Sequence, residues 1–146
     1  MTRKDRWILS EYVVAKDRVE NYGDALIYHQ QTTPYAELDL IFESARTDSA
    51  RNESARAEAA RSETASPRLQ VQAGAGDPSR ILTIIEVKSV SSEIWGQDVI
   101  SRKQRLRLER ARSYVELKAR RQTRLLLATV QAGRDGPVIH YFEAPF

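Results

Sequence analysis

Cysteine is absent from this chain of 146 residues, and histidine is scarce, with only two in the whole sequence. The absence of cysteine excludes disulfides, zinc fingers and cysteine nucleophiles, and it is compatible with a reducing compartment. The two histidines, His29 and His140, lack the spacing of a metal site, so we expect structural roles for both. Glycine-rich phosphate loops, dinucleotide fingerprints and nucleophile elbows are also missing. Any chemistry must therefore rest on carboxylates, amides and basic side chains.

Long apolar segments are missing as well. No run approaches the roughly twenty apolar residues of a membrane span, and the first residues, from Met1 to Arg6, are mostly charged. We therefore expect a cytoplasmic protein that does not bind membranes. With 41% hydrophobic residues, the chain is long enough to bury one core and too short for two, so residues 1–146 are predicted to form a single domain.

Apolar periodicity predicts two helices and five strands in the order α-β-β-β-α-β-β. In the first helix, Ile8, Tyr12, Ala15 and Val19 recur at helical spacing and form the expected buried stripe. A loop with Trp95 precedes the second helix. The fold class is thus α/β, with a mixed four- or five-stranded sheet flanked by helices. We predict helices over residues 5–21 and 99–121, and strands over residues 25–30, 35–42, 81–90, 123–130 and 138–142.

A five-residue repeat occupies the connection between the second and third strands, with Ser, Ala, Arg and an acidic residue recurring over residues 44–63. It holds no large apolar residue, and a five-residue step rotates around a helix so that no single face would pack on a core. We therefore expect a long, disordered hairpin insertion at about residues 43–80, which a fold tolerates because loop-closure entropy grows slowly with length. A function of its own for this tract stays open as the alternative.

The basic residues are concentrated in the second predicted helix. Residues 101–121 hold nine basic and two acidic side chains, a net charge of +7 in a chain whose total is +3. Such asymmetry favours a polyanionic partner, although a basic, solvated helix face is the ordinary alternative. Near the start of this helix, Arg102, Lys103 and Arg105 are the side chains that we expect to contact DNA phosphates.

Two strands carry charged residues on one face among apolar neighbours. Asp39 lies in the second strand, and Glu86 and Lys88 lie two apart in the third. Burying such groups is costly unless they pair with one another or bind a cation. If the two strands form a hairpin, Asp39 and Glu86 offer oxygen ligands to Mg²⁺ or Mn²⁺. Lys88 would then orient a water or stabilise the charge that develops during phosphodiester hydrolysis.

Each of these assignments has a plainer alternative. The spacing of Glu86 and Lys88 is also common for a same-face ion pair on a surface strand. Glu11 borders the stripe of the first helix and is either a third carboxylate of the metal site or a surface residue paired along the helix. Gln104 lies on the inward stripe of the second helix, where it would bind a metal-bound water or the scissile phosphate, or satisfy a backbone group.

The motifs around these residues resemble those of the YraN family of predicted endonucleases, within the PD-(D/E)XK nuclease superfamily and related to Holliday-junction resolvases. The likeness covers nearly the whole chain outside the repeat tract. The sequence departs from the family pattern at Ala36, Val90 and Leu126, where the family has Gly, a basic residue and often an acidic residue. The resemblance is carried by Ala36-Glu37-Leu38-Asp39-Leu40-Ile41, Ile85-Glu86-Val87-Lys88, Trp95-Gly96 and the Lys103-Gln104 pair.

The resemblance implies a restriction-endonuclease-like core that hydrolyses phosphodiester bonds in branched or structured DNA with Mg²⁺ or Mn²⁺. Asp39 and Glu86 would be metal ligands, with Glu11 as a weaker match, and Lys88 and Gln104 would complete the catalytic set. A homodimer would match the two-fold symmetry of a junction. Two alternatives stay open, namely a DNA-binding or recombination-associated module of the same fold with little or no cleavage, and a scaffold whose acidic strands are only ion-paired.

Overall fold

The computed structural model describes residues 2–45, 80–91 and 99–146. The predicted loop with Trp95 and most of the predicted insertion lie outside these residues. Within the described chain, neither helix combines the length and the apolar character that a membrane span requires. The helices are α1 (Arg3–Tyr22) and α2 (Arg102–Ala119), and the strands are β1 (Ala25–Thr32), β2 (Glu37–Ser44), β3 (Ile81–Val90), β4 (Thr123–Gly133) and β5 (Gly136–Glu143).

The strands form one mixed sheet in the order β1-β2-β3-β4-β5. β2 is antiparallel to both of its neighbours, β1 and β3, while β4 runs parallel to β3 and β5 returns antiparallel to β4. A parallel pair requires a crossover connection, and α2 lies in the connection between β3 and β4. The prediction of an α/β fold with a mixed sheet flanked by helices is therefore confirmed, with five strands.

The sheet buries an apolar layer on each face. On one face, Val14 of α1 packs in a cluster with Ile85, and on the other, Leu108 of α2 packs in a cluster with Ile84. Ile84 and Ile85 are adjacent in β3, and both are 0% exposed. Because successive strand residues point to opposite faces, β3 contributes side chains to both layers. This double burial explains the nearly continuous apolar sequence of the strand.

Local hydrogen bonds fix the ends of the helices. Thr2 and Asp5 form a capping box at the start of α1, and the hydrogen bonds from Thr2 lower the pKa of Asp5. Gly23 ends the helix in the left-handed region at a φ of 67°, a conformation that glycine adopts without strain. Ser101 is the N-cap and accepts a hydrogen bond from the N–H of Gln104, so α2 begins at Arg102 rather than at the predicted residue 99.

The buried face of α1 differs from the prediction. Ile8 and Tyr12 are 48% and 46% exposed, so the predicted stripe is wrong at these two residues, whereas Ala15 is buried and Val19 packs against the core as predicted. The prediction was based on apolar residues alone. The face of α1 that is buried also depends on polar side chains with partners elsewhere in the fold. The buried face carries three of them, Ser10 paired with Ser89, Glu11 with His29, and Arg18 with Asp24.

The β2–β3 hairpin is held together at the end where the repeat tract leaves it. Ser44 pairs with Ile81, so the ladder reaches the last residue of β2. The buried carboxylate of Glu43 accepts a hydrogen bond of 3.2 Å from Arg121 and lies 3.7 Å from the guanidinium of Arg80. Since Glu43 and Ser44 belong to β2, the predicted insertion limits of 43–80 are corrected, and residues 46–79 lie outside the described chain.

Candidate active site

The two central strands separate where the predicted carboxylates lie. Described pairs between β2 and β3 run from Ser44–Ile81 to Leu40–Ile85. Beyond that point, and within the described residues, β2 pairs with β1 as far as Glu37, while β3 pairs with β4 as far as Val90. Asp39 and Glu86 are the first residues past the last shared pair. The separation opens the sheet at the two positions that carry the carboxylates.

Asp39 closes part of the gap between the separated strands. Its Oδ2 accepts a hydrogen bond of 2.7 Å from the backbone N–H of Val87. An N–H without a partner at this depth would be costly, and the carboxylate supplies the acceptor that the neighbouring strand no longer offers. The side chain of Asp39 therefore stabilises the backbone of β3, in addition to being a candidate metal ligand.

Glu86 is bound from two directions. Nζ of Lys88 lies 2.6 Å from its Oε1, and Nε2 of Gln104 donates to the same oxygen at 2.9 Å. Glu86 is 5% exposed, so these charge-assisted contacts offset part of the cost of its burial. Lys88 and Gln104 come from β3 and α2, and both contacts hold the carboxylate in one orientation. The prediction that Gln104 faces inward is confirmed by this contact.

Glu11 reaches the same region from α1. The buried carboxylate accepts hydrogen bonds from Nε2 of His29 at 2.5 Å and from Nε2 of Gln30 at 3.4 Å. Gln30 has a φ of 54°, in the left-handed region that non-glycine residues rarely occupy. Two neighbouring residues of β1 thus turn their side chains to one carboxylate. Glu11 is not the surface residue of the plainer alternative.

The electrostatics of the site centre on Asp39. Burial, followed by the negative charge of Glu86, raises the pKa of Asp39 from 3.8 to about 7, and the charge of Glu11 adds to the increase. The hydrogen bond from Val87 and the charge of Lys88 act in the opposite direction. The ionisable groups are therefore close enough to influence one another. Either a proton or a cation would relieve the repulsion between the carboxylates.

The pair of carboxylates fits a hard divalent cation. Mg²⁺ is commonly held by one or two carboxylates, with waters and substrate phosphates completing its coordination. Asp39 and Glu86 supply such a pair, and both donors to Glu86 reach the same oxygen. Across residues 2–45, 80–91 and 99–146, no group of three or more His, Asp or Glu side chains is arranged to hold a metal ion. Glu11, the predicted third ligand, is thus not gathered with the other two into such a group.

A groove of about 360 Å³ opens beside Glu86 and Gln104. Of the three side chains predicted to contact DNA, Lys103 lines this groove and Arg102 is exposed at the start of α2. Arg105 is engaged within the protein, where it donates to the carbonyl oxygens of Ile100 and Phe146. The three predicted residues therefore differ in how available they are to a ligand.

Sequence analysis missed several residues of this region. His29 was expected to be structural without a named partner, and Gln30 was not considered. Arg107 lines the groove beside Lys103 and follows it by four residues, about one turn of the helix. The spacing of four between these two cations, next to the inward position of Gln104, is the signal that would have identified Arg107. The contact between His29 and Glu11 had no such signal, because it depends on how α1 crosses the sheet.

Neither a protein-family model nor a curated protein sequence matches this chain. The fold and the site therefore define the class by geometry alone. It is an α/β domain with a mixed five-stranded sheet whose central strands separate around two buried carboxylates and a lysine.

Proposed function

We propose that this protein is a metal-dependent endonuclease with a PD-(D/E)XK core, related to the YraN family, that hydrolyses phosphodiester bonds in branched or structured DNA. The observation that supports it most is the meeting of Asp39, Glu86 and Lys88 where β2 and β3 separate. The preference for branched DNA follows the sequence resemblance. A homodimer acting on a two-fold symmetric junction stays a prediction.

Asp39 and Glu86 would hold Mg²⁺ or Mn²⁺. Such an ion, when bound, polarises a phosphoryl oxygen and lowers the pKa of a water. Lys88 would stabilise the negative charge that develops on the phosphate or orient the attacking water, since its ammonium group already lies 2.6 Å from Glu86. Gln104 would keep Glu86 in the orientation that ligation requires, through its hydrogen bond of 2.9 Å. Arg102 and Lys103 would contact phosphates without reading sequence.

The test is cleavage of a DNA panel by the purified protein. Four-way junctions, flaps, single strands and duplexes would be incubated with Mg²⁺ or Mn²⁺, beside the variant Lys88→Ala. Loss of a preorganised charge stabiliser typically lowers the rate by about 100-fold or more, and we expect that loss here. Lys16→Ala, an exposed lysine of α1, is the matched control and should cleave at the wild-type rate.

The outcomes separate the candidate functions. Cleavage that is equal in wild type and Lys88→Ala would point to a contaminating nuclease and would contradict the catalytic assignment. Salt-dependent DNA binding without cleavage under any of these conditions would favour the DNA-binding module. Absence of both binding and cleavage would leave the scaffold with ion-paired acidic strands.

A further inference from the structure

The basic side chains of α2 divide into engaged and available groups. Arg105 donates to backbone carbonyls, and Arg112 pairs with Glu109 at 2.9 Å. Among the described residues, Lys103 and Arg107 form no ion pair with an acidic side chain, and both are exposed. The high charge of the helix therefore includes cations that its own fold does not neutralise.

Lys103 and Arg107 both line the groove that also contains Glu86 and Gln104. Their spacing of four residues puts them on one side of α2, about one helical turn apart. Two like charges at this spacing repel each other by tenths of a kcal/mol, and an anion between them would turn that repulsion into attraction. The groove thus has a cationic wall immediately beside the candidate catalytic carboxylate.

The part of the groove that β2 contributes carries the opposite charge. Glu37, the first residue of β2, and Ala36 just before it also line the groove, and Glu37 is exposed. An anionic ligand would therefore be repelled from the β2 side and held against α2. A guanidinium binds phosphate through two parallel hydrogen bonds, whereas an ammonium acts as a point charge, so Arg107 and Lys103 offer complementary contacts.

We propose that Lys103 and Arg107 form a phosphate subsite that binds a non-scissile backbone phosphate of the DNA strand, next to the phosphate at Asp39 and Glu86. This inference rests on the proposed function, because it takes the strand in the groove to be the one that is cut. The subsite fixes the position of the strand along α2, and Glu37 confines the strand to that side.

The experiment measures DNA affinity as a function of salt, with Ca²⁺ in place of Mg²⁺ and a fluorescent four-way junction as the probe. Each phosphate contact contributes about 0.9 to the slope of log affinity against log salt on duplex arms. Lys103→Gln and Arg107→Gln should each lower the slope by about that amount and weaken binding several-fold. Glu37→Gln removes the negative charge that repels the DNA strand, and it should strengthen binding several-fold.

Arg120→Gln is the matched control, because the substitution removes the same charge. Arg120 is exposed and lies at the opposite end of α2 from Lys103. Its slope should equal that of the wild type. Circular dichroism and urea unfolding of each variant establish that it is folded before binding is compared. The same variants would also be assayed for cleavage in Mg²⁺.

Unchanged slopes in both Lys103→Gln and Arg107→Gln would overturn the subsite, and so would an equal decrease in Arg120→Gln, since any cation would then serve. A wild-type protein that binds no DNA would overturn it as well. Failure of the proposed function has a different signature. If the slopes change as expected but no substrate is cut, Lys103 and Arg107 bind a DNA phosphate, but the nuclease assignment and the description of that phosphate as non-scissile both fail. If cutting depends on Lys88 but the slopes do not change, the nuclease assignment stands and the subsite fails.

Discussion

Asp39 is a buried acid whose ionisation opposes folding. Its pKa is about 7 in the folded protein against an ordinary value of 3.8, so the folded state binds more protons than the unfolded state between these values. Stability is therefore greatest when Asp39 is protonated and falls as the pH rises through this window. Below the ordinary value both states are protonated, and above about 7 both are ionised, so the loss is then complete.

Asp39→Asn should remove this loss while keeping an oxygen that accepts the hydrogen bond from Val87. One pKa unit corresponds to about 1.4 kcal/mol. We therefore expect the variant to gain on the order of 4 kcal/mol relative to wild type between about pH 4 and about pH 8. Urea unfolding in EDTA at both pH values measures the gain. A difference between the two proteins that does not change with pH would contradict the raised pKa.

Glu11 adds negative charge to the site without joining a three-carboxylate group. Its charge contributes to the raised pKa of Asp39, so it also attracts a cation held there. Glu11→Gln should weaken Mn²⁺ binding several-fold at about pH 8, measured by calorimetry. Glu20→Gln, on the same helix, is the control and should bind Mn²⁺ like the wild type. An unchanged affinity in Glu11→Gln would mean that Glu11 serves only to hold His29 and Gln30.

At the scale of elements, the β2–β3 hairpin is complete without the repeat tract. Ser44 and Ile81 are directly paired, and the contacts of Glu43 with Arg80 and Arg121 hold the strand ends together. Joining Ala45 to Arg80 by a four-residue turn should therefore leave the fold intact. Shortening the connection from roughly thirty residues to about four halves its length about three times. Because the entropic cost of closing a loop falls with each halving, the free energy of unfolding should rise by about 2 kcal/mol.

Urea unfolding and Mn²⁺ binding of the shortened protein test this expectation. The matched control is a chain that keeps its full length but has its tract residues in scrambled order, which should match the wild type in both measurements. A shortened protein that is less stable, or that loses Mn²⁺ affinity, would show that residues 46–79 contribute to the core or to the site.

The elements were predictable to different degrees for physical reasons. The bounds of β3 agree with the prediction, because a strand buried on both faces over most of its length has a nearly continuous apolar sequence. β2 begins at Glu37, two residues later than predicted, because Thr33 accepts the N–H groups of Tyr35 and Ala36 in a turn. The apolar character of Tyr35 concealed this turn.

The candidate site was predictable as far as the hairpin reaches. Pairing adjacent strands brings Asp39 and Glu86 to the same position, and the inward stripe of α2 brings Gln104 to Glu86. The contact of Glu11 with His29 was not predictable. It depends on the rotation of α1 and on the left-handed backbone beside His29, and neither leaves a periodic signal in the sequence.

At the scale of the whole molecule, the two apolar layers share one sheet. Ile85 belongs to the layer under α1 and Ile84 to the layer under α2, and both side chains are 0% exposed. Removing either one leaves a cavity beside the same central strand. Since β3 cannot leave the sheet without opening both layers, we expect the described fold to unfold as one cooperative unit.

Ile84→Ala and Ile85→Ala should therefore each lower the free energy of unfolding by about 2–5 kcal/mol within a single transition. Tyrosines report on both faces of the sheet. Tyr22 of α1 packs against Tyr141, and Tyr114 of α2 packs against Tyr35. Far-ultraviolet circular dichroism and tyrosine fluorescence should give the same midpoint in each variant. A layer that melted alone would give a second transition, or midpoints that differ between the two probes, and β3 would then not couple the two faces.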